Sequence, residues 1–311
     1  MIFIHKRAEG DLSVLLEANG FELLLLDSGL AIIDEIQPIV SFLRANAIQA
    51  DWLIVDHYEI DERWETLLQA EVRNTLVIDD LADRPHHCDL LLDQNFYSNM
   101  GIRYRNLLPK ACRQLLGPSY ALIRSEFRIA RQFMESKDGV VKNILIFYGG
   151  SDPTNETLKA LQALTRVQLS SVHTDVVVGM SNPNKGMIEA IVKDQPHMSF
   201  HCQVSNMAEL MARSDLAFGA GGSATWERMY LGLPTIATVV AQNQKESLKA
   251  LGHLNLVYNM GWHAEICGDN LATAFLSLIS HRDKLLEMRK RALAFMGESV
   301  SSAVVCELLK G

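Results

Sequence analysis

Nine consecutive residues in the second half of the chain combine glycines, hydroxyls and a carboxylate: Gly219-Ala220-Gly221-Gly222-Ser223-Ala224-Thr225-Trp226-Glu227. They follow an apolar run at 216–218 and open a helical pattern that continues to about Leu231. Glycines let a backbone approach a ligand closely, and the N–H groups of a first helical turn bind anions. Ser223 and Thr225 could add hydroxyl donors, and Glu227 could accept hydrogen bonds from the ribose of a nucleotide. The alternative is an ordinary strand-to-helix turn with Ser223 as its N-cap.

Two further segments have a similar setting. Tyr148-Gly149-Gly150-Ser151-Asp152 follows an apolar run at 143–148, and two such glycine turns at strand ends of one sheet could together hold a diphosphate. The alternative is a tight turn between a strand and a helix. Ala241-Gln242-Asn243-Gln244 follows the run at 235–239, and its amides could bind sugar hydroxyls or an acetamido group. Here the alternative is an asparagine that caps the next helix.

Other chemistries are disfavoured. The chain has no Walker A sequence and no GxGxxG after its first strand, which argues against ATP and NAD sites. His86-His87-Cys88-Asp89 could suggest a metal, but adjacent ligands rarely share one tetrahedral site and no second cluster has suitable spacing. We therefore expect no metal and no cofactor.

These segments must be positioned by repeated strand–helix units. Short apolar runs predict strands at 2–4, 21–26, 52–55, 75–78, 90–92, 143–148, 175–178, 199–202, 216–218 and 235–239, with helices between them. In the first half, three runs end in polar residues: Asp56-His57-Tyr58, Asp79-Asp80 and Asp93-Gln94-Asn95. Ligands bind at the carboxyl ends of parallel strands, so these residues indicate either a shared cleft or simple loop starts.

The length of 311 residues fits two domains of about 150 residues each. The polar stretch at 134–139 ends in Gly139 and is the predicted linker. We predict an N-terminal α/β domain at 1–137 and a C-terminal α/β domain at 138–311, the latter with a helical tail at about 270–309. Each domain should contain a doubly wound parallel sheet, with the two sheets facing a cleft.

Composition narrows the class of protein further. The net charge of −8 argues against nucleic acid as the main partner. The five cysteines are scattered without a CxxC pair, which predicts reduced thiols in a cytoplasmic protein. The chain has no apolar run of about 18 residues and no signal-peptide pattern, so we expect no membrane partner. We expect a monomer.

Taken together, the motifs resemble those of the UDP-2,4-diacetamido-2,4,6-trideoxy-β-L-altropyranose hydrolases of pseudaminic acid biosynthesis, whose fold is related to the MurG-type (GT-B) glycosyltransferases. The resemblance covers most of the chain, from Met1 to at least Leu251. It is carried by residues 54–58, 87–95, 116–127 and 221–227, and by Ile78-Asp79-Asp80-Leu81-Ala82-Asp83-Arg84, Gly149-Gly150-Ser151-Asp152-Pro153, Gly232-Leu233-Pro234 and Asn243-Gln244.

The resemblance implies a metal-independent hydrolysis in which water attacks the anomeric carbon of a UDP-linked sugar, UDP leaves and configuration inverts. It further implies a role in pseudaminic acid biosynthesis and flagellin glycosylation. Tyr58 matches a cleft tyrosine and Asn243 a substrate-binding amide, and these two are the expected catalytic residues. The expected UDP-binding residues are Gly149, Gly150, Ser151, Val204, Gly221, Gly222, Ser223, Ala224, Glu227 and Gln244.

The chain departs from the family at its start. Members open with a strand, a loop of Gly-x-Gly-His type that carries the catalytic base, and a helix, and this sequence contains no such motif. His5 does not match that histidine, and His57 is the nearby alternative. We therefore expect a chain shortened by one strand–helix unit, with a weakened N-terminal half and little hydrolase activity. The alternatives are a glycosyltransferase and a non-catalytic UDP-sugar-binding protein on the same scaffold.

Overall fold

The computed structural model describes residues 1–7, 12–167, 171–297, 304 and 308. They form two compact units. The N-terminal unit comprises Met1–Gln94, Asn99–Leu116 and Val304–Gly311, and the C-terminal unit comprises Asn95–Ser98 and Gly117–Ala303, counting only the described residues within these bounds.

The N-terminal unit contains two parallel sheets. Strands β1 and β2 pair with each other, and β3, β4, β5 and β6 form a four-stranded sheet in that order. The strands of this unit are β1 (Ile2–Lys6), β2 (Glu22–Leu26), β3 (Ala50–Asp56), β4 (Val72–Ile78), β5 (Leu90–Asp93) and β6 (Arg113–Leu116). The helices are α1 (Ser13–Ala18), α2 (Ile36–Ala45), α3 (Glu62–Leu68) and α4 (Met100–Arg103).

Helix spacing explains the core of this unit. Ile39 and Leu43 lie four residues apart on α2, so both point to one face of the helix, and both are buried in a cluster with Val55 and Leu91 of the four-stranded sheet. Trp64 of α3 joins the same cluster. The apolar face of each helix is therefore the feature that fixes it to the sheet.

The C-terminal unit is built on one parallel sheet with the strand order β12-β11-β10-β7-β8-β9. Its strands are β7 (Asn143–Phe147), β8 (His173–Val178), β9 (Met198–Cys202), β10 (Leu216–Ala220), β11 (Thr235–Val239) and β12 (Tyr258–Trp262). Its helices are α5 (Ser125–Gln132), α6 (Glu156–Val167), α7 (Lys185–Lys193), α8 (Met207–Arg213), α9 (Ala224–Tyr230), α10 (Lys245–His253), α11 (Gly268–Ile279) and α12 (Arg282–Met296).

Both faces of this sheet are covered, which explains why its strands are apolar runs. On β7, Leu145 points into one hydrophobic cluster while Ile144 and Ile146 point into the other. Successive strand residues alternate between faces, so a strand that is buried on both sides is mostly apolar. The predicted class, α/β with two parallel-sheet domains, is confirmed.

The division between the units lies earlier than the predicted boundary between residues 137 and 138. Phe127 on α5 is fully buried in a cluster of the C-terminal unit, a burial that contributes about 1.5–3 kcal/mol. Lys137 of the predicted linker donates to Asp215 at 2.8 Å and to the Arg213 carbonyl. Residues 117–137 therefore pack with the C-terminal unit rather than connecting two units.

The helical tail is confirmed for α11 and α12, and the prediction beyond Gly297 falls largely outside the described residues. Helix α12 packs closely against Gly232, since a Cβ added to this glycine would lie only 2.7 Å from Leu293 of the helix.

Strands β6 and β12 were not predicted, because their sequences include charged, amide or glycine residues. Within the described part of the chain, no helix is long and apolar enough to cross a lipid bilayer.

Candidate functional site

The two glycine turns lie side by side at the carboxyl edge of the C-terminal sheet. Strand β7 is hydrogen-bonded to β10 with Phe147 opposite Gly219, so both strands leave the sheet together. From β7 the chain winds outward through β8 to β9, and from β10 it winds the other way through β11 to β12. The turns therefore flank the point at which the strand order reverses. In open α/β sheets this switch point is where ligands bind.

The first turn has a backbone that only partly requires glycine. Gly149 has φ +98°, which side-chain-bearing residues rarely adopt. Gly150 has no such φ, and a Cβ added there would meet no atom within 4 Å. The Gly179 N–H donates to the Gly150 carbonyl at 3.0 Å, which joins this turn to the loop after β8. Gly150 and Ser151 are both exposed.

A buried carboxylate anchors the far end of this turn. Asp152 accepts hydrogen bonds from the backbone N–H groups of Glu156 and Thr157, each at 2.9 Å, and so caps α6. Burial raises the pKa of Glu156, and the Lys159 ammonium at 2.7 Å opposes that rise. Asp152 thus has a structural role, while the glycines before it remain open to solvent.

The second turn also contains glycines of two kinds. A Cβ on Gly219 would lie 2.6 Å from Arg228 Nη1, and one on Gly221 would lie 2.4 Å from Leu248 Cδ1. The fold itself therefore requires glycine at both positions. At Gly222 the nearest atom would be 3.7 Å away, which is ordinary van der Waals contact, and φ is not positive.

A buried arginine lies directly under the second turn. Arg228 is 1% exposed and donates to the Ala220 carbonyl at 2.6 Å and to Thr225 Oγ1 at 3.0 Å. Burial lowers its pKa from 12.5 to about 10. The Thr225 hydroxyl donates to the same carbonyl at 3.1 Å, so it supports the turn instead of pointing to solvent.

The remaining predicted residues of this segment are accessible or paired. Ser223 is the N-cap of α9 and is exposed, but its side chain makes no capping hydrogen bond. Ala224 is half-buried behind it. Glu227 accepts a hydrogen bond from Arg124 Nε at 2.9 Å, and its side chain is 14% exposed. Sequence reasoning gave Arg124 no role, because the two residues are far apart in the chain.

The amide segment lies next to the second turn, since β11 pairs with β10. Gln244 accepts from the Val240 N–H through Oε1 at 3.0 Å, which directs its Nε2 toward Gly222. Tyr97 donates to the Asn243 carbonyl at 3.4 Å. The capping interpretation of Asn243 is wrong, because Gln244 is the residue that precedes α10, and it makes no capping hydrogen bond.

Val204 lies after β9, two strands away from β7. Gln203 has φ +56° and donates its N–H to the Val178 carbonyl at 3.0 Å, while its side chain accepts from the Met180 N–H at 3.3 Å. Val204 itself packs against the hydrophobic cluster of the C-terminal unit. The loop is thus held to the edge of β8.

In the N-terminal unit, Tyr58 follows β3 and is 63% exposed. His57 beside it is also exposed, and its Nδ1 accepts the Glu59 N–H at 3.1 Å, which makes Nδ1 an acceptor in this conformation. His5 lies within β1, where Nδ1 is 2.9 Å from the Lys6 carbonyl and Nε2 is 3.3 Å from Ser13 Oγ. Its expected structural position matches these contacts.

Two of the polar strand ends in this unit have structural roles. Asp79 and Asp93 are buried, and the Tyr104 hydroxyl lies 3.0 Å from a carboxylate oxygen of the first and 3.2 Å from one of the second. Arg84 pairs with Asp79 at 3.1 Å and Arg103 with Asp93 at 3.4 Å. Burial and both carboxylates raise the pKa of Tyr104. The loop-start interpretation is therefore correct for these two residues.

The segment that could have suggested a metal is also accounted for by internal contacts. His86 is buried, with Nδ1 2.7 Å from Glu65 Oε1. Among the described residues, no group of three or more His, Cys, Asp and Glu side chains is arranged to hold a metal ion.

Comparisons with known proteins agree with the motif resemblance. The chain is 29% identical over 216 residues to a Campylobacter jejuni protein named UDP-2,4-diacetamido-2,4,6-trideoxy-beta-L-altropyranose hydrolase, covering 69% of this chain and 74% of that protein. It is 27% identical over 162 residues to the Bacillus subtilis spore coat polysaccharide biosynthesis protein SpsG, covering 51% of this chain and 47% of that protein. No family model matches the chain. The resemblance to the hydrolases is confirmed.

Solved structures show the fold. The chain matches Acinetobacter baumannii MurG with a TM-score of 0.64 at 14% identity, covering 96% of this chain and 88% of that one. It matches Arabidopsis thaliana UGT89C1 complexed with UDP with a TM-score of 0.65 at 13% identity, covering 99% and 92%. The fold is that of the MurG-like GT-B glycosyltransferases.

Proposed function

We propose that this chain binds a UDP-linked 2,4-diacetamido-2,4,6-trideoxyhexose and that its reaction is a slow hydrolysis to free sugar and UDP, within pseudaminic acid biosynthesis. The observation that carries the proposal is the pair of open glycines, Gly150 and Gly222, beside the point where the strand order reverses. Neither φ nor packing requires glycine at these two positions. Close approach of a ligand to the backbone would require it, because only glycine has no side chain in the way.

In this proposal the diphosphate lies against the two glycine turns. Exposed backbone and the Ser151 and Ser223 hydroxyls supply hydrogen bonds, and Arg228 beneath the second turn supplies positive charge. Glu227 accepts from the ribose while Arg124 fixes its carboxylate. Similarity to the hydrolase supplies the substrate class, and it is the reason for naming UDP rather than another nucleotide.

Departure of UDP requires no strong general acid from the protein. UDP is a good leaving group when its developing charge is stabilised by preorganised donors, so the remaining need is a base that activates water. Tyr58 and Asn243 are the proposed catalytic residues because both match positions in the family's motifs, and Asn243 is the proposed sugar-binding residue. Attack by water from the face opposite UDP inverts the anomeric configuration.

Two measurements on the full chain test the proposal. Titration calorimetry with UDP reports the site, and release of UDP from the UDP-sugar without any acceptor reports hydrolysis, with NMR to read the configuration of the free sugar. UDP binding together with acceptor-independent release supports the proposal. Absence of UDP binding refutes the site. Binding without turnover refutes the hydrolase activity and leaves a UDP-sugar-binding protein, whereas release only with an acceptor indicates a glycosyltransferase.

A further inference from the structure

The N-terminal unit contains two cysteines whose sulfur atoms are in contact. Cys88 lies two residues before β5, and Cys112 lies one residue before β6. These strands are hydrogen-bonded neighbours with Leu90 opposite Arg113, so the two side chains meet at one end of the sheet. The Sγ atoms are 3.5 Å apart, and both cysteines are free thiols.

A cavity of about 170 Å³ opens onto this pair. Val72 at the beginning of β4, Thr75 in the middle of β4 and Asp89 just before β5 line it together with the two thiols. Cys88 is 5% exposed, whereas Cys112 is half-buried and more accessible to a small reagent. In a parallel sheet all amino-terminal strand ends share one edge, so the cavity lies at the edge opposite to the carboxyl ends that lead to Tyr58.

The contact makes the two thiols chemically unequal. When Cys88 is the donor in this contact, its hydrogen bond, together with the Leu91 backbone and the Arg113 charge, lowers the pKa of the Cys112 thiol, although burial and the Asp89 charge raise it. The same hydrogen bond, together with burial, raises the pKa of Cys88. The thiolate is the reactive form of cysteine, so Cys112 is the better nucleophile and Cys88 the partner that follows.

We propose that Cys88 and Cys112 form a dithiol site that reacts with a small hydroperoxide and closes to a disulfide. The Cys112 thiolate attacks one peroxide oxygen, the O–O bond breaks, and hydroxide leaves, so that Cys112 becomes a sulfenic acid. The Cys88 sulfur then attacks Cys112 Sγ, its proton goes to the departing hydroxyl, and water leaves. In total, two thiols are oxidised to one disulfide, and one hydrogen peroxide is reduced to two waters.

The geometry suits this sequence of steps. A disulfide needs an S–S distance of about 2.05 Å, so the sulfurs must approach by about 1.5 Å. Side-chain rotation toward the shared cavity provides this movement. A cavity of about 170 Å³ admits hydrogen peroxide, since about 10–15 Å³ of such space holds one water, whereas oxidised glutathione, a disulfide of two tripeptides, is far larger. The site should therefore favour peroxide over oxidised glutathione.

The test uses the full chain with Cys202, Cys267 and Cys306 changed to Ala, so that only the pair remains. Treatment with hydrogen peroxide, followed by alkylation and mass spectrometry, should show loss of two hydrogens and a Cys88–Cys112 cross-linked peptide that dithiothreitol reverses. Oxidised glutathione at the same concentration should react at least about tenfold more slowly. An unaltered mass, or a cross-link that forms only after urea unfolding, would overturn the proposal.

Single substitutions separate the two roles. Cys88→Ala should leave a sulfenic acid at Cys112 that dimedone traps, whereas Cys112→Ala should reduce peroxide reactivity at Cys88 at least about tenfold. Circular dichroism confirms that each variant is folded, and Cys267→Ala alone is the matched control that should keep the cross-link. Equal dimedone labelling of both variants, or none in Cys88→Ala, would show that the two thiols do not have these roles.

Discussion

Replacing Gly150 or Gly222 with alanine should weaken UDP binding without weakening the fold. Each substitution adds a single methyl group to the backbone of a glycine turn. At Gly150 the added Cβ meets nothing within 4 Å, and at Gly222 it meets only Gln244 Nε2 at 3.7 Å. Neither glycine has a positive φ. Alanine at a compatible backbone position stabilises by about 0.4–1 kcal/mol through the unfolded chain, so the free energy of unfolding should stay equal or rise.

The loss of affinity follows from the position of that methyl group. If the diphosphate lies on the backbone at these turns, a Cβ occupies the space through which N–H groups reach phosphate oxygens. A hydrogen bond to a charged group contributes about 1.5–3 kcal/mol, and each 1.4 kcal/mol is tenfold in affinity. The Kd for UDP should therefore rise about 10- to 150-fold for each variant.

The assay pairs titration calorimetry with urea unfolding for every variant. Gly186→Ala is the matched control, because its added Cβ also meets nothing within 4 Å while the residue lies on α7, away from the turns. It should not change UDP affinity. Gly221→Ala is the opposite control, because its Cβ would lie 2.4 Å from Leu248. Overpacking of this kind costs about 1–3 kcal/mol, so that variant should lose stability.

The decisive comparison is between affinity and stability in the same variant. If Gly150→Ala and Gly222→Ala bind UDP as tightly as the unchanged chain, the diphosphate does not lie against these turns, and the proposed site is wrong. If they lose both affinity and stability to the same extent as Gly221→Ala, the affinity loss reports a disturbed fold and the reasoning from added Cβ atoms fails.

Three further substitutions test other parts of the structure. Arg228→Met should change the free energy of unfolding by no more than about 2 kcal/mol. Burying the arginine charge, which lowers its pKa to about 10, costs about 3 kcal/mol, and removing that cost offsets the loss of the hydrogen bonds that Arg228 makes. UDP affinity, measured by calorimetry, should fall about tenfold. Asp175→Asn should lower the free energy of unfolding by about 1–3 kcal/mol at pH 7, measured in urea melts. Burial alone would raise the pKa of Asp175, but Arg213 at 2.6 Å and His201 at 2.7 Å outweigh it and hold that pKa below its usual value. Because its pKa is lowered in the folded state, the ionised Asp175 stabilises the protein above the unfolded pKa of about 3.9, and this stabilisation is lost as pH falls through the folded-state pKa. The difference in unfolding free energy between the variant and the unchanged chain should therefore shrink below about pH 4. A difference that stays constant with pH would contradict this. Tyr58→Phe should leave stability within about 0.5 kcal/mol because the residue is exposed, while kcat/KM for UDP-sugar hydrolysis should fall about tenfold or more.

Local patterns were enough to predict most of the strands. The buried strands β7, β10 and β11 are mostly apolar runs, and the glycines at or after the ends of β7 and β10 are visible in the sequence. The strands that were missed, β6 and β12, contain polar or glycine residues, and pairing with β5 and β11 holds them in their sheets. These strands can be identified only from their pairing in the folded sheet, which the pattern of apolar residues along the sequence does not reveal.

Pairing between distant residues also decided which polar side chains were available for a ligand. Asp79 and Asp93 looked equivalent to the exposed Asp56 in sequence, since all three lie at the carboxyl ends of strands. Asp79 and Asp93 are buried and bonded to Tyr104, Arg84 and Arg103, and nothing in the sequence around these three partners indicates that pairing. The ion pair of Glu227 with Arg124 spans 103 positions in the chain and was equally invisible.

The sequence alone does not distinguish glycines that the fold requires from glycines that it does not require. In one turn Gly149 is required by its φ, and in the other Gly221 is required by Leu248, so a fold without any ligand would keep both. Gly150 and Gly222 are required by neither cause, although in sequence each is simply the second glycine of a pair. Only the strand order, which places β10 beside β7, brings these two unexplained glycines to the same edge of one sheet. Because the fold accounts for their neighbours and not for them, they are the positions at which binding and stability can be separated experimentally.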